Sequence, residues 1–358
     1  MRGNWFSRAV MGVALAALIV PGAIAAQTPT AGVDLESVKA YLIEHVGKSK
    51  AGTADVLAHA QEYYDLAEAA DFDYEALWEA NGPEIVTLLE EARRAWVEEA
   101  SGNYELSEGL VAGVPSLAYY DVWIDAGPSG DDDPVNALDV TVEFPDGRVL
   151  EKPGSLYHFV TEPALWGTRD DFVGLRVDMD GDGEIELGEA LPDANALLGA
   201  AQALDAATAE LEQAAQDWEP TPGDTFTALV IMIPTMSGYF EEWKESVFVS
   251  GEETDEVRFV GVSRLADVSG ILTGLDVTYG NIQPAIESID PALAEQIEVE
   301  LGDLVAFVQD LYAQEEDGTQ FTPAQADQFG SELQSRATAI AGQISQAAAL
   351  LDIPIQES

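Results

Sequence analysis

The chain has 358 residues, 47% of them hydrophobic, with 66 Asp plus Glu against 15 Lys plus Arg and a formal net charge of −51. That apolar content supports a packed core, and acidity spread along the whole length repels nucleic acid and anionic membrane while drawing cations. With no cysteine and only three histidines (His45, His59 and His158), disulfides, thiolate metal sites and a Cys nucleophile are excluded, and a His-rich zinc site has few ligands to draw on.

The N-terminus reads as an export signal. Arg2 and Arg8 make a positive stretch ahead of an apolar run from Ala9 to Val20, and Ala23-Ile24-Ala25 precedes a cleavage point near residue 26. The run is short for a membrane span, so no span is expected in the mature chain. The expected location is periplasmic or extracellular. Residues 27–33 form a short polar leader.

Three- and four-residue apolar spacing then predicts helices. Val38, Leu42, Val46, Val56, Ala60 and Tyr63 mark one from about Asp34 to Ala70, with Gly47 and Gly52 as a local break. A second runs from Asp73 to about Trp96, interrupted at Asn81-Gly82-Pro83. Residues 101–135, rich in Gly, Pro and Ser, read as loop. Val140, Val142 and Phe144 alternate with polar neighbours before Pro145-Asp146-Gly147, which predicts a small β-hairpin. A short helix follows over about Ser155 to Trp166.

Asp178 to Glu189 has the spacing of an EF-hand-type calcium loop. Asp178, Asp180 and Asp182 occupy its first, third and fifth positions. Gly183 allows the sharp turn, the Glu184 carbonyl supplies the seventh position, Glu186 binds directly or through water, and Glu189 closes the shell with two oxygens. Calcium is the cofactor expected there.

Beyond it, helices are predicted at about 193–217, 223–248, 258–283, 290–314 and 322–351, punctuated by Pro and Gly, with Thr322-Pro323 as a helix start. Long helices with short joins imply antiparallel bundle packing. The expected fold is all-α: two antiparallel helical-bundle halves, 34–220 and 221–358, with a small β-hairpin insertion and the calcium loop.

His158 and Glu162 lie four apart, on one face of a helix, where imidazole and carboxylate can share a transition metal. The surrounding string, His158-x-x-x-Glu162-Pro163-Ala164-Leu165-Trp166-Gly167, resembles the signature of the imelysin-like family. That family includes the substrate-binding component of the EfeUOB-type bacterial iron-uptake system. The family spacing is His-x-x-Glu; here one more residue separates the pair. Gly251-Glu252-Glu253, followed by Ser263-Arg264-Leu265-Ala266-Asp267, resembles a second family segment, and Tyr279 to Ile355 has the family's helical look.

The resemblance implies a metal site between two bundle halves, with His158, Glu162, Asp267 and Glu253 as iron ligands. It implies capture of iron outside the cytoplasmic membrane for a membrane permease, without catalysis. Two alternatives stand beside it: a calcium-stabilised extracytoplasmic scaffold, and an imelysin-like metallopeptidase. The peptidase lacks support in the residues, because no His-Glu-x-x-His is present and hydrolytic zinc takes three protein ligands.

Overall fold

A computed structural model describes residues 32–251, 254 and 256–356. The expected export signal and most of the expected leader, with Glu253 and the last two residues, lie outside the described residues.

The structure is 70% helical. In chain order the helices are α1 (Leu35–Ala69), α2 (Tyr74–Arg94), α3 (Gly102–Val111), α4 (Ala118–Asp121), α5 (Glu162–Trp166), α6 (Ala194–Asp217), α7 (Pro222–Met232), α8 (Met236–Glu245), α9 (Val247–Ser250), α10 (Arg264–Glu287), α11 (Pro291–Glu316) and α12 (Pro323–Leu350). Their starts are chemically marked. Asp34, Asp73, Asp193 and Asp290 each accept a backbone N–H from the first turn. Thr221 and Thr322 form reciprocal capping boxes with Asp224 and Gln325, each ahead of a proline in the first turn.

Several sequence expectations need correction. The first helix is unbroken through Gly47 and Gly52. A Cβ at Gly52 would sit 2.4 Å from the Ala100 backbone nitrogen, so glycine there serves close packing rather than a break. Pro83 lies within α2 without ending it. The expected 223–248 helix is divided at Pro234 into α7 and α8 by a 3₁₀ turn, Ile233–Thr235. The largest correction is 101–135, expected as loop: it contains α3 and α4. Weak local propensity from its glycines and serines is overridden by burial, because Tyr104, Leu110, Val111 and Val114 enter the core.

Two antiparallel hairpins interrupt the helices. β1 (Thr141–Glu143) pairs with β2 (Val149–Glu151) at the expected insertion. β3 (Val173–Arg176) pairs with β4 (Ala190–Pro192), with an irregularity between Val173 and Leu175. The Asp178–Glu189 loop joins β3 to β4. It is therefore carried by a hairpin and not by the helix–loop–helix of an EF-hand.

Two buried apolar clusters organise the packing. One gathers residues from Val38 to Trp218 together with Ala228 and Val262, and the other runs from Phe226 to Ile353. They meet where α3 lies along α10. Small residues make that seam tight: a Cβ at Gly274 would lie 2.2 Å from the Leu106 carbonyl oxygen, and one at Gly270 would lie 2.7 Å from the Glu105 Cβ. The Gly274 clash is with backbone and cannot be relieved by a rotamer change. Gly274→Ala is accordingly expected to cost about 1–3 kcal/mol. A thermal melt should show a Tm several degrees lower; an unchanged Tm would mean the seam is not close-packed.

Candidate metal centre

Three π-helical turns border the junction of the two clusters: Ala95–Ser101, Val122–Ala126 and Leu156–Thr161. Such turns are rare and collect at functional sites, because the widened helix re-aims its side chains. Here they present Trp96, Asp125 and His158. The Trp96 ring stands edge-on to Tyr157 at 5.4 Å and to His158 at 6.1 Å.

His158 is buried, and both ring nitrogens are engaged. Nδ1 lies 3.0 Å from Glu162 Oε2, and Nε2 lies 2.9 Å from Asp125 Oδ1. Burial pushes the imidazole toward neutrality, but Asp125 and the bond to Glu162 outweigh it and raise the ring to about 9. Arg264 is the second buried cation. Its guanidinium is held between the Tyr239 and Phe259 rings at 4.4 and 4.1 Å. It donates to Glu242 Oε2 at 2.9 Å and to Asp267 Oδ2 at 2.6 Å.

Six buried carboxyl groups surround this pair: Glu105, Glu108, Asp121, Asp125, Glu162 and Asp267. Glu162 is fully committed. Its Oε2 accepts the Phe259 N–H at 3.0 Å, and its Oε1 accepts those of Val260 and Gly261 at 2.8 and 2.9 Å. With His158, that makes four hydrogen bonds to one carboxylate. Phe259 adopts φ +54°, a left-handed conformation uncommon for a bulky side chain, and this lets three successive N–H groups converge on Glu162.

The other carboxyls are starved of donors. Glu105 Oε1 and Oε2, Glu108 Oε2, Asp125 Oδ2 and Asp267 Oδ1 are buried and receive no hydrogen bond other than the one that Glu105 and Glu108 share between their own carboxyls. One oxygen each from Glu105, Glu108 and Asp125 lies within 4.8 Å of the others. Tyr239 donates a short hydrogen bond to Glu108 Oε1, and Tyr104 donates to Asp121 Oδ1 at 3.1 Å. Burial, then the charges of Asp267 and Glu108, hold Glu105 well above the ordinary carboxyl value. Burial and Asp125 raise Glu108 to about 7, and burial raises Asp267 to about 6 against the pull of Arg264. Asp125 goes the other way: burial opposes ionisation, but His158 and Arg264 together hold it below its usual value.

The structure therefore brings His158, Glu162 and Asp267 to one place, while Glu253 lies outside the described residues. It reassigns the expected pair. His158 and Glu162 bond to each other, and the oxygens left open belong to Glu105, Glu108, Asp125 and Asp267. Of these only Asp267 was anticipated. Glu105/Glu108 and Asp121/Asp125 sit at helical i,i+3 and i,i+4 spacing, a signal hidden by reading 101–135 as loop.

The second acidic group is the Asp178–Glu189 loop. One oxygen each from Asp178, Asp180 and Asp182 lies within 4.8 Å of the others. Glu189 reaches back across the loop: its Oε1 accepts the Met179 and Asp180 N–H groups at 2.8 and 3.2 Å, and its Oε2 accepts that of Glu186 at 2.8 Å. The Glu184 N–H donates to Asp182 Oδ1 at 2.9 Å. Gly181 and Gly183 take φ +83° and +101°, which a side chain would resist. Arg93 connects this loop to α5, donating to the carbonyl oxygens of Leu165 at 2.8 Å and Gly188 at 2.6 Å.

Fold and site together define an all-helical protein with an interior acidic centre at the junction of two packed clusters. The chain matches the family model described as Imelysin, Peptidase_M75, over residues 87–347, and it belongs to the imelysin family. No curated protein matches the sequence.

The carboxyl surroundings set different outcomes for two substitutions. Glu108 has a folded value above its ordinary 4.5, so its contribution to stability is full below about pH 4.5 and is lost as pH rises through about 7. His158 acts in the same direction at higher pH, whereas the contribution of Asp125 is full above its ordinary 3.8 and is lost only as pH falls through its lowered value. Metal-free protein should melt lower at pH 8 than at pH 5.5, and Glu108→Gln should shrink that difference. Glu162→Ala should lower stability at both pH values by about 3–5 kcal/mol, read as a lower Tm, because it strands His158 and three N–H groups. Equal pH dependence in wild type and Glu108→Gln would contradict the electrostatic account.

Proposed function

We propose that this protein captures iron outside the cytoplasmic membrane and delivers it to a membrane permease. The observation supporting this most directly is the set of five buried carboxylate oxygens on Glu105, Glu108, Asp125 and Asp267 that meet no donor beyond a neighbouring carboxyl. Burying an ionised carboxylate without a partner costs several kcal/mol, so each such group needs a proton or a cation. Hard oxygen donors suit Fe³⁺, and an adjacent imidazole is compatible with Fe²⁺. In this reading Glu105, Glu108 and Asp125 are the principal ligands, with Asp267 completing the shell. His158 and Glu162 hold Asp125 and the 259–261 backbone in position.

Capture is favoured over hydrolysis because both His158 nitrogens are already bonded to carboxylates, whereas a hydrolytic zinc draws on protein nitrogen and sulfur ligands as well as oxygen. Export is inferred from residues 1–26. No described helix is long and apolar enough to cross a membrane. Titration of metal-free protein with iron tests the reading. Wild type should bind in the cleft, and the double variant Glu105→Gln, Glu108→Gln should lose at least tenfold, about 1.4 kcal/mol, while keeping its fold. Equal affinity in the two proteins would remove the cluster as the iron site.

We further propose that Asp178, Asp180, Asp182, the Glu184 carbonyl, Glu186 and Glu189 bind Ca²⁺ and fasten the β3–β4 hairpin. Through Arg93 the ordered loop would brace α5, the helix that carries Glu162. Calcium should raise the Tm of wild type, since a ligand that binds only the native state stabilises it. Asp178→Ala should abolish that rise; a rise of the same size in the variant would exclude the loop.

A further inference from the structure

The cleft beside the acidic centre is larger than a metal ion requires. A cavity of about 360 Å³ opens against Asp125 and His158, lined also by Ser155, Tyr239, Arg258 and Arg264. That size belongs to small-molecule sites, which begin at about 300 Å³.

Its lining offers donors without acceptors. Ser155 is fully buried and stands at the start of the π turn that carries His158, where a serine hydroxyl normally caps the helix. It makes no capping bond, and its Oγ has no hydrogen-bond partner. A buried hydroxyl left so is uncommon and calls for an acceptor. Arg264 is fixed in plane by the Tyr239 and Phe259 rings, with Nε and Nη1 committed to Glu242 and Asp267. Its Nη2 makes no hydrogen bond to a described residue. Arg258 bonds Glu256 through Nε and Nη2 at 2.8 and 2.7 Å, and its Nη1 likewise makes none to a described residue.

Three carboxylates share the lining, each with one oxygen paired, and Asp125 Oδ2 is left without a partner. Asp125 Oδ1 meets His158, Glu242 meets Arg264, and Asp132 accepts from Ser129 Oγ at 2.8 Å. In a chain of net charge −51, two arginines and a donor hydroxyl at one cavity mark a place where negative charge is received.

We propose that this cavity binds a small oxyanion, a carboxylate or carbonate, as a co-ligand of the metal: its oxygens accept from Ser155 Oγ and the open arginine N–H groups on one side and complete the metal's shell on the other. Planar guanidinium groups suit such an anion by geometry as well as charge. The inference rests on the iron-capture reading and deepens it, because it assigns the form in which the cargo is held.

The test uses the metal-free mature protein, titrated anaerobically with Fe²⁺ chloride in carbon-dioxide-free buffer whose only added anion is chloride. The titration is repeated with bicarbonate and with malonate. Either anion alone competes with the protein for Fe²⁺ in solution, so a ternary site is revealed by the opposite effect. Wild type should bind Fe²⁺ at least tenfold more tightly in one of the oxyanion arms, and which arm does so identifies the anion. Ser155→Ala, which removes a hydroxyl with no bond in the structure, should keep the chloride-only affinity and lose most of the gain. Arg258→Gln should do the same by a second route. Fe²⁺ binding that is indifferent to both oxyanions, or a gain undiminished in both variants, overturns this inference and leaves iron capture standing. No Fe²⁺ binding in any buffer overturns both.

Discussion

Uncompensated negative charge inside the molecule is the constraint on which the rest of the structure depends. Six buried carboxyl groups face two buried cations, His158 and Arg264. In a low-dielectric interior such groups cannot all ionise together without a further positive charge. The fold concentrates this conflict instead of avoiding it. Gly270 and Gly274 let α10 press against α3, which brings Asp267 toward Glu105 and Glu108. The π turns at Val122–Ala126 and Leu156–Thr161 add Asp125 and His158 from the other side. Glu162 then ties the 259–261 backbone over the site through three N–H groups.

Much of the architecture was legible because it rests on local signals. Apolar spacing and capping chemistry located α1, α6, α11 and α12, and the alternation around Val142 located β1. The acidic loop from Asp178 to Glu189 was legible as a turn that gathers three aspartates, since its spacing is local and not set by tertiary packing. Its hairpin setting was not, because β3 and β4 are four and three residues long and nearly all apolar, without an alternating pattern.

The centre was only half legible, for a physical reason. His158 and Glu162 advertised themselves by type and spacing, but their mutual bond could not be distinguished from shared coordination. Glu105, Glu108, Asp121 and Asp125 were hidden because an acid in an acidic chain reads as solvated surface. The approach of α3 to α10 buries Glu105 and Glu108, and that approach is set by glycines far along the sequence. Arg264 was visible as part of a family-like segment, yet its role depends on the Tyr239 and Phe259 rings that fix its plane.

The central claim is that iron sits among the open carboxylate oxygens of the junction. Anomalous diffraction at the iron edge, on crystals of iron-loaded protein, tests it without recourse to affinity. The account predicts one strong peak within coordination distance of Glu105, Glu108 and Asp125, with His158 still bonded to Glu162. A peak confined to the Asp178–Glu189 loop, or at His45 or His59, with the junction carboxylates unmoved, would contradict it.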